Sequence, residues 1–399
     1  MKETKTLIVR YDEIGLKGKN RKYFENRLVR NIRYALKDIE DVRINKIHGR
    51  ILGRVNIADS QECVGRLTFI PGISSISAGI SLEPDFDKMA ELGISLIQPK
   101  LKAGGQLNFC VRTRRSNKMF PFTSKEIDFE VGSRIMGALA DKGLSVDIKR
   151  ADFILEIEIG PQETIIFDNR VSGLSGLPVG SSGQVLSLLS GGIDSPVSTF
   201  KLINRGCRVH SIFFDNRTFL GRGGYDKVIR LARILNRYQG GGKLYVIPFQ
   251  DIQVAIRDFC NNANRVVLYR RMMYRIACAL AERKNYHGLV TGESVGQVAS
   301  QTLKNLSAVS CVTSMSVFRP LIGMNKQEII AQAKVIGTYN TSIEPQPDCC
   351  SVFMPDHPTT RSKVKYLEAD ENLYPWEELM RKALGLVETI DLDCLNKPG

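Results

Sequence analysis

The chain has 399 residues, 43% of them hydrophobic, and a formal net charge of +14 at pH 7. That length implies two or three domains with real cores, and no apolar run approaches the ~18 residues of a membrane span, so no membrane partner is expected. So large a basic excess points to a polyanionic partner.

The N-terminus, Met1-Lys-Glu-Thr-Lys-Thr-Leu-Ile-Val, lacks the apolar core of a signal peptide, so a cytoplasmic protein is expected. Residues 6–10 read as a short strand. Residues 17–37 carry a helical period, with Phe24, Leu28, Ile32 and Leu36 four apart. Basic residues crowd this helix and its approach: Lys17, Lys19, Arg21, Lys22, Arg27, Arg30, Arg33 and Lys37, opposed only by Glu25 and Asp38. Residues 42–47 and 50–57 read as strands joined by His48-Gly49. The βαββ pattern marks a small α+β domain over 1–60.

A second α+β unit is expected over 61–170. It has helices near 85–100 and 124–142 and strands at 106–113, 153–159 and 164–171. Arg112, Arg114, Arg115, Lys118 and Lys125 form a second basic cluster, broken by Phe120-Pro121-Phe122, with no acidic residue between Gln106 and Lys125. Interleaved cations and aromatics suit RNA phosphates and unstacked bases, whereas either cluster alone fits a solvated face. Residues 171–183, rich in Gly and Ser, form the clearest linker.

From 184 to 399, strands at 185–189, 208–214, 243–248 and 288–291 alternate with helices at about 195–205, 225–238 and 263–284. That rhythm implies a doubly wound parallel sheet, which binds ligands beyond the carboxyl ends of its strands. The first strand runs through Leu188 and Leu189 into Ser190-Gly191-Gly192-Ile193-Asp194-Ser195. This is the S-G-G-x-D-S pattern of a PP-loop. Its glycines allow a tight turn, and a helix starting near Asp194, with Pro196 in its first turn, aims its positive end at bound phosphates. No Lys follows the glycines, which separates the loop from a Walker A motif and fits cleavage between the α- and β-phosphates. Phe213 and Phe214, ending the next strand, could wall an adenine. Arg270 sits on a helix and fits either a phosphate contact or a solvated face. Gly292, in Thr291-Gly292-Glu293-Ser294, allows close backbone approach to a nucleotide; Gln297, Ser300 and Gln301 follow it.

The nine cysteines are odd in number and form no C-x-x-C pair, so neither a zinc ribbon nor a disulfide framework is expected, and no protein metal site. The doublet Cys349-Cys350, after Asp348 in a proline-rich stretch, reads as a nucleophile or persulfide carrier, or as a buried loop anchor.

Taken together, these motifs resemble the tRNA 4-thiouridine synthetases, or tRNA sulfurtransferases of the ThiI family. Arg10-Tyr-Asp-Glu-Ile-Gly-Leu-Lys-Gly-Lys-Asn20 is similar to the family's N-terminal ferredoxin-like signature. Val111-Arg-Thr-Arg-Arg-Ser-Asn-Lys-Met-Phe-Pro121 is similar to its RNA-binding THUMP domain. The run at 190–195, with Arg270-Arg271-Met272-Met273, Thr291-Gly292-Glu293, Ser300-Gln301-Thr302, Arg319-Pro320 and Lys326-Gln327-Glu328, matches its PP-loop domain. The resemblance implies ATP-dependent thiolation of uridine at position 8 of tRNA. ATP adenylates the uridine O4 and pyrophosphate leaves; a persulfide then attacks C4 and displaces AMP. It implies Mg²⁺ beside ATP and a cysteine desulfurase as persulfide donor; a homodimer is an open assembly state. It places ATP at Leu188, Leu189, Ser190, Gly191, Gly192, Ser195, Phe213, Phe214, Arg270, Gly292 and Gln301, and catalysis at Asp194 with Cys349 or Cys350. Transfer RNA falls to Lys17, Lys19, Arg21, Lys22, Arg112, Arg114, Arg115 and Lys118. Cys207 is a possible resolving thiol or a small buried residue. Many family members carry a C-terminal rhodanese-like domain. The resemblance here is to a short form without it, which leaves a role in thiamine thiazole synthesis open. Rival readings are a 2-thiouridylase, a lysidine synthetase, or a non-catalytic RNA-binding nucleotide sensor.

Overall fold

In β1 (Thr4–Arg10), Leu7 and Val9 face one core while Ile8 meets Ile165 and Phe167 on the other side, so the strand is buried on both faces. The computed structural model describes residues 3–47, 49–101, 105–117, 119–160, 163–346 and 353–393. Two units emerge, Met1–Gly176 and Leu177–Gly399.

In the first unit β1 is followed by α1 (Arg21–Ala35), β2 (Arg43–Ile47), β3 (Arg50–Asn56), α2 (Ser60–Leu67), β4 (Ser75–Leu82), α3 (Phe86–Ile97), β5 (Leu107–Arg115), α4 (Ser124–Leu139), β6 (Leu144–Val146), β7 (Phe153–Ile159), β8 (Thr164–Phe167) and β9 (Val171–Ser172). Leu28 and Ile32 of α1, with Leu36 just beyond it, pack on Leu7, Val9, Ile44 and Ile51. Cys63 and Leu67 of α2, with Ile70 and Ile73, complete the same core. Residues 61–76, assigned from the sequence to the second domain, therefore pack with the first. The four-residue spacing of Ile127, Val131, Ile135 and Leu139 lays α4 on the second core with Phe109, Leu155 and Ile157. A Thr123–Glu126 capping box fixes where α4 begins.

The two halves share one sheet of order β2-β3-β1-β4-β8-β7-β5-β6, with β9 beside β4. Strand β4 joins them by pairing antiparallel with both β1 and β8. An ion triad reinforces the join: Glu158, 1% exposed, accepts from Arg10 Nη2 at 2.6 Å and also pairs with Arg50. The Gly/Ser-rich segment is not a free linker. Strand β9 lies within it and pairs with β4, Leu177 and Val179 are buried, and Gly180 N–H donates to Gly206 O at 2.8 Å.

The second unit contains β10 (Gln184–Leu188), α5 (Asp194–Asn204), β11 (Arg208–Asp215), α6 (Arg217–Leu220), α7 (Gly223–Asn236), β12 (Lys243–Pro248), α8 (Gln250–Phe259), α9 (Arg265–Arg283), β13 (Leu289–Val290), α10 (Leu303–Ser310), β14 (Val317–Phe318), α11 (Lys326–Val335), α12 (Tyr339–Ser342), α13 (Val364–Glu371), α14 (Trp376–Gly385) and β15 (Glu388–Asp391). The sheet order is β14-β13-β10-β11-β12-β15. The first five strands are parallel, and β15 closes the β12 edge antiparallel. Among the described residues, no helix is long and apolar enough to cross a membrane.

Breaking a buried ion pair costs about 3–5 kcal/mol because the remaining charge loses its partner. Glu158→Gln should lower the urea midpoint of the full chain by a corresponding amount. An unchanged midpoint would show that the triad adds no net stability.

Candidate active site

The apolar strands β10, β11 and β13 end together, and beyond their carboxyl ends lies a cavity of about 600 Å³. Leu188, Leu189, Phe213 and Phe214 form its apolar wall, and Val266, Arg270 and Met273 of α9 face it. Ser190, Gly192, Asp194 and Ser195 line it from the PP-loop, and Gly292, Gln297, Ser300 and Gln301 from the segment after β13. One site thus gathers every nucleotide residue expected from the sequence except Gly191.

The loop braces itself. Ser190 N–H donates to Ser195 Oγ at 2.9 Å, and Gly192 N–H donates to Ser190 Oγ at 3.3 Å. Its glycines stay out of the left-handed region; what Gly191 supplies is room, since a Cβ there would sit 3.3 Å from Lys227 Cδ. Gly191 faces a second, smaller cavity of about 220 Å³ behind the loop, lined also by Asp215, Arg217, Lys227, Ser342 and Gln346. Gly292 is equally constrained. A Cβ there would come within 2.7 Å of Ser195 N, so only glycine lets the strand end touch the start of α5.

Charge at the cavity is organised in pairs. Asp194, in the first turn of α5, accepts from Lys326 Nζ at 2.6 Å and from Gln297 Nε2 at 2.8 Å. Glu293 is 2% exposed and accepts from Arg319 Nε at 2.6 Å, from Tyr274 and Thr291 hydroxyls at 2.9 Å each, and from Arg270. Burial by itself would raise the pKa of Glu293. Arg270 and Arg319 outweigh it and hold the carboxyl below its ordinary range. Arg270 is therefore neither a solvated face nor an unengaged cation: it also donates to the Ser300 carbonyl at 3.1 Å. The positive end of α5 adds to Lys326 and Arg270 in favouring a polyphosphate. Among the described residues no group of three or more His, Cys, Asp or Glu is arranged to hold a metal ion.

The basic residues divide into two kinds. Arg112 and Arg114 alternate on β5 and are exposed, as are Lys19 and Lys22. Arg21 is committed to Glu25 at 2.8 Å and Tyr11 at 2.8 Å. Arg115 holds the Phe120 carbonyl at 2.9 Å, and Lys17 lies over the Phe24 ring.

Lys118, Asp348, Cys349 and Cys350 lie outside the described residues. The described chain on either side of the doublet borders the PP-loop cavities, Gln346 the smaller one and Met354 the larger. Cys207 is no resolving thiol for this site. It precedes β11, whose Phe213, six residues further on, lines the cavity, placing it roughly 20 Å away at ~3.3 Å per residue. Burial also raises its pKa. Glu293 and Lys326 were quoted from the sequence inside motifs, but no role at the site was given to either; Lys227, which lines only the smaller cavity, was not singled out. The acid beside Gly292 and the run Lys326-Gln327-Glu328 were the local signals available.

Three family models match the chain: the ThiI ferredoxin-like domain over residues 6–77, the THUMP domain over 83–167, and thiamine biosynthesis protein (ThiI) over 180–374. The probable tRNA sulfurtransferase of Halothermothrix orenii is 40% identical over 387 residues, covering 96% of this chain and 96% of that protein. The probable tRNA sulfurtransferase of Caldanaerobacter subterraneus subsp. tengcongensis is 39% identical over 368 residues, covering 92% of this chain and 95% of that protein. A crystal structure of a 4-thiouridine synthetase–RNA complex with bound ATP matches with a TM-score of 0.89 at 36% identity, covering 97% of this chain and 99% of that one. PH1313 from Pyrococcus horikoshii matches with a TM-score of 0.66 at 26% identity, over 84% of this chain and 99% of that one.

The lowered pKa of Glu293 makes its stabilising contribution complete above the ordinary carboxyl value of 4.5 and lost as pH falls through the folded-state value. Glu293→Gln should be less stable than the parent at pH 7, with a shallower loss of urea midpoint below pH 4.5. Parallel pH profiles for the two proteins would refute the assignment.

Proposed function

The chain belongs to the ThiI family of tRNA sulfurtransferases, and from that membership we propose that it converts uridine to 4-thiouridine at position 8 of tRNA using ATP. The observation that carries the reading is the PP-loop itself, braced through Ser190 and Ser195 and pressed against Gly292 at the mouth of the larger cavity.

In this reading the adenine lies against Leu188, Leu189, Phe213 and Phe214, and the phosphates meet the loop amides and the start of α5. The uridine O4 attacks the α-phosphorus, the bond to the bridging oxygen breaks, and pyrophosphate departs as the N3 proton is lost. Fixed donors aimed at the phosphates stabilise the developing charge without reorganising. A persulfide sulfur next attacks C4, and AMP leaves with the former O4. The thiolate of Cys349 or Cys350 is the proposed carrier. A second thiolate then attacks the carrier cysteine's Sγ and breaks its bond to the transferred sulfur, so that a disulfide forms and thiouridine leaves with that sulfur. A persulfide-loaded cysteine desulfurase would supply the sulfur.

Mg²⁺ beside ATP would neutralise phosphate charge. Asp194 fits that ion: its side chain is 20% exposed, it faces the cavity, and the donors on its two oxygens, Lys326 and Gln297, are exposed side chains that can give way to an ion; Mg²⁺ sites need only one or two carboxylates beside phosphate and water. Glu293 does not fit, because both of its oxygens are already held by buried donors.

Exposed Arg112 and Arg114, with Lys19 and Lys22, are the proposed tRNA phosphate contacts; Arg21 and Arg115 shape the surface that presents them.

Asp194→Ala should cut thiouridine formation on the order of 100-fold, the scale of losing one charge-positioning contact, while tRNA affinity stays near that of the parent. Nucleoside mass spectrometry of tRNA incubated with protein, ATP and a sulfur source reads this directly, and near-parental turnover would end the PP-loop assignment. Arg112→Glu with Arg114→Glu should weaken tRNA binding and flatten its salt dependence by about one unit of slope per lost phosphate contact. Unchanged affinity and slope would reduce the cluster to a solvated surface.

A further inference from the structure

Lys227 lies on α7 behind the PP-loop and is 4% exposed. A buried amino group must be hydrogen-bonded, and Nζ donates to the carbonyls of Ser342 and Glu344, both at 2.8 Å. These carbonyls stand at the C-terminal end of α12, where a helix leaves acceptors without intrahelical partners. Lys227 therefore fixes the path of the chain as it leaves α12.

That path is a strap, residues 342–346, laid along α7. Arg230, one turn after Lys227, pairs with the Glu344 carboxylate. Gln346 packs so closely on the start of α7 that a Cβ on Gly223 would lie 2.3 Å from its Oε1. The strap is also tied to the PP-loop: Ser342 Oγ donates to the Gly192 carbonyl at 3.2 Å, and the stem of Lys227 rests against Gly191. Lys227 lines the cavity behind the loop and not the larger one in front. Two residues after Gln346 the sequence reads Asp348-Cys349-Cys350.

We propose that Lys227 is a positioning residue for sulfur delivery, holding the strap against the back of the PP-loop so that the cysteine-bearing chain departs from beside the site of adenylation. The inference rests on the sulfur-transfer reading above. Lys227 serves the second half-reaction and leaves the first, which uses only ATP, the PP-loop and the uridine oxygen.

The test uses the full chain with tRNA, ATP and either of two sulfur sources: a persulfide-loaded cysteine desulfurase, or inorganic sulfide. Hydrosulfide can attack C4 of the adenylated uridine directly, displacing AMP without oxidation or reduction, and so bypasses the cysteine. AMP-linked tRNA and thiouridine are followed separately. For Lys227→Met the expectation is adenylation within about 3-fold of the parent, persulfide-dependent thiouridine down about 10-fold or more, and sulfide-dependent thiouridine unchanged, the scale expected of a misplaced reacting group. A merely structural defect would lower all three together, and that result overturns the proposal; so does persulfide-dependent thiouridine equal to the parent's. If Lys227→Met does not fold, the more exposed Arg230→Met replaces it. It should show the same split at smaller amplitude, and no split overturns the proposal. A Cys349→Ser, Cys350→Ser double variant runs alongside. If it makes normal thiouridine from the persulfide donor, the sulfur-transfer reading itself has failed. If it does not and Lys227→Met does, only the role of Lys227 has failed.

Discussion

A single buried carboxylate, Glu293, sets the shape of the nucleotide cavity. Its oxygens collect donors from α9 through Arg270 and Tyr274, from the residue after β14 through Arg319, and from the end of β13 through Thr291. A charge so placed is tolerated only with its partners in position, since removing any one leaves an uncompensated charge in low dielectric. The consequence spreads outward. With Arg270 held, its second nitrogen fixes the Ser300 carbonyl and with it one wall of the cavity. With Thr291 held, its carbonyl accepts from Ser198 at 2.7 Å, and Gly292 is pressed onto the first turn of α5. The PP-loop amides thus owe their position to an acid whose own oxygens are already taken up by protein donors.

The PP-loop was legible because its code is local. Strand, glycines, acid and first-turn proline fall within a dozen consecutive residues, and each demands the same backbone. The alternation of strands and helices after 184 gave the parallel sheet for the same reason. Lys227 was silent, and Glu293 and Lys326 stood only inside matching motifs with no role of their own, because these roles are defined by distant partners: Lys326 meets Asp194 across 132 positions and Lys227 meets Ser342 across 115. Composition also could not separate basic residues that face solvent from those used internally. Arg21 and Arg114 look alike in a charge count, yet one is bound to Tyr11 and Glu25 while the other is exposed on β5. The first domain boundary went astray because α2 joins the core before it, while β4 serves both halves and leaves no break in the sheet for composition to mark. Strand β14 is two residues long, too short for periodicity to reveal.

Electrostatics plays different parts in the two units. On the first, Arg112 and Arg114 stand exposed on alternate positions of one strand, an arrangement suited to a long polyanion whose contacts are many and individually weak. At the cavity of the second, three of the described cations already hold carboxylates: Lys326 with Asp194, and Arg270 and Arg319 with Glu293. A polyphosphate entering there meets oriented donors rather than loose positive charge. Shape and hydrogen-bond direction then decide what binds, as selectivity for one nucleotide requires.

The antiparallel strand β15 carries a consequence for the order in which the chain is made. It pairs with β12 across more than a hundred intervening residues, and its Glu388 meets Tyr225 at 2.8 Å and Arg217 at 3.2 Å. During synthesis, every described residue of the nucleotide cavity leaves the ribosome before it. Until residues 388–391 follow, β12 presents an open row of backbone donors and acceptors, the kind of edge on which other chains nucleate. The nascent protein can therefore assemble its catalytic half while one flank of the sheet is still adhesive, and that hazard ends only when the last strand docks.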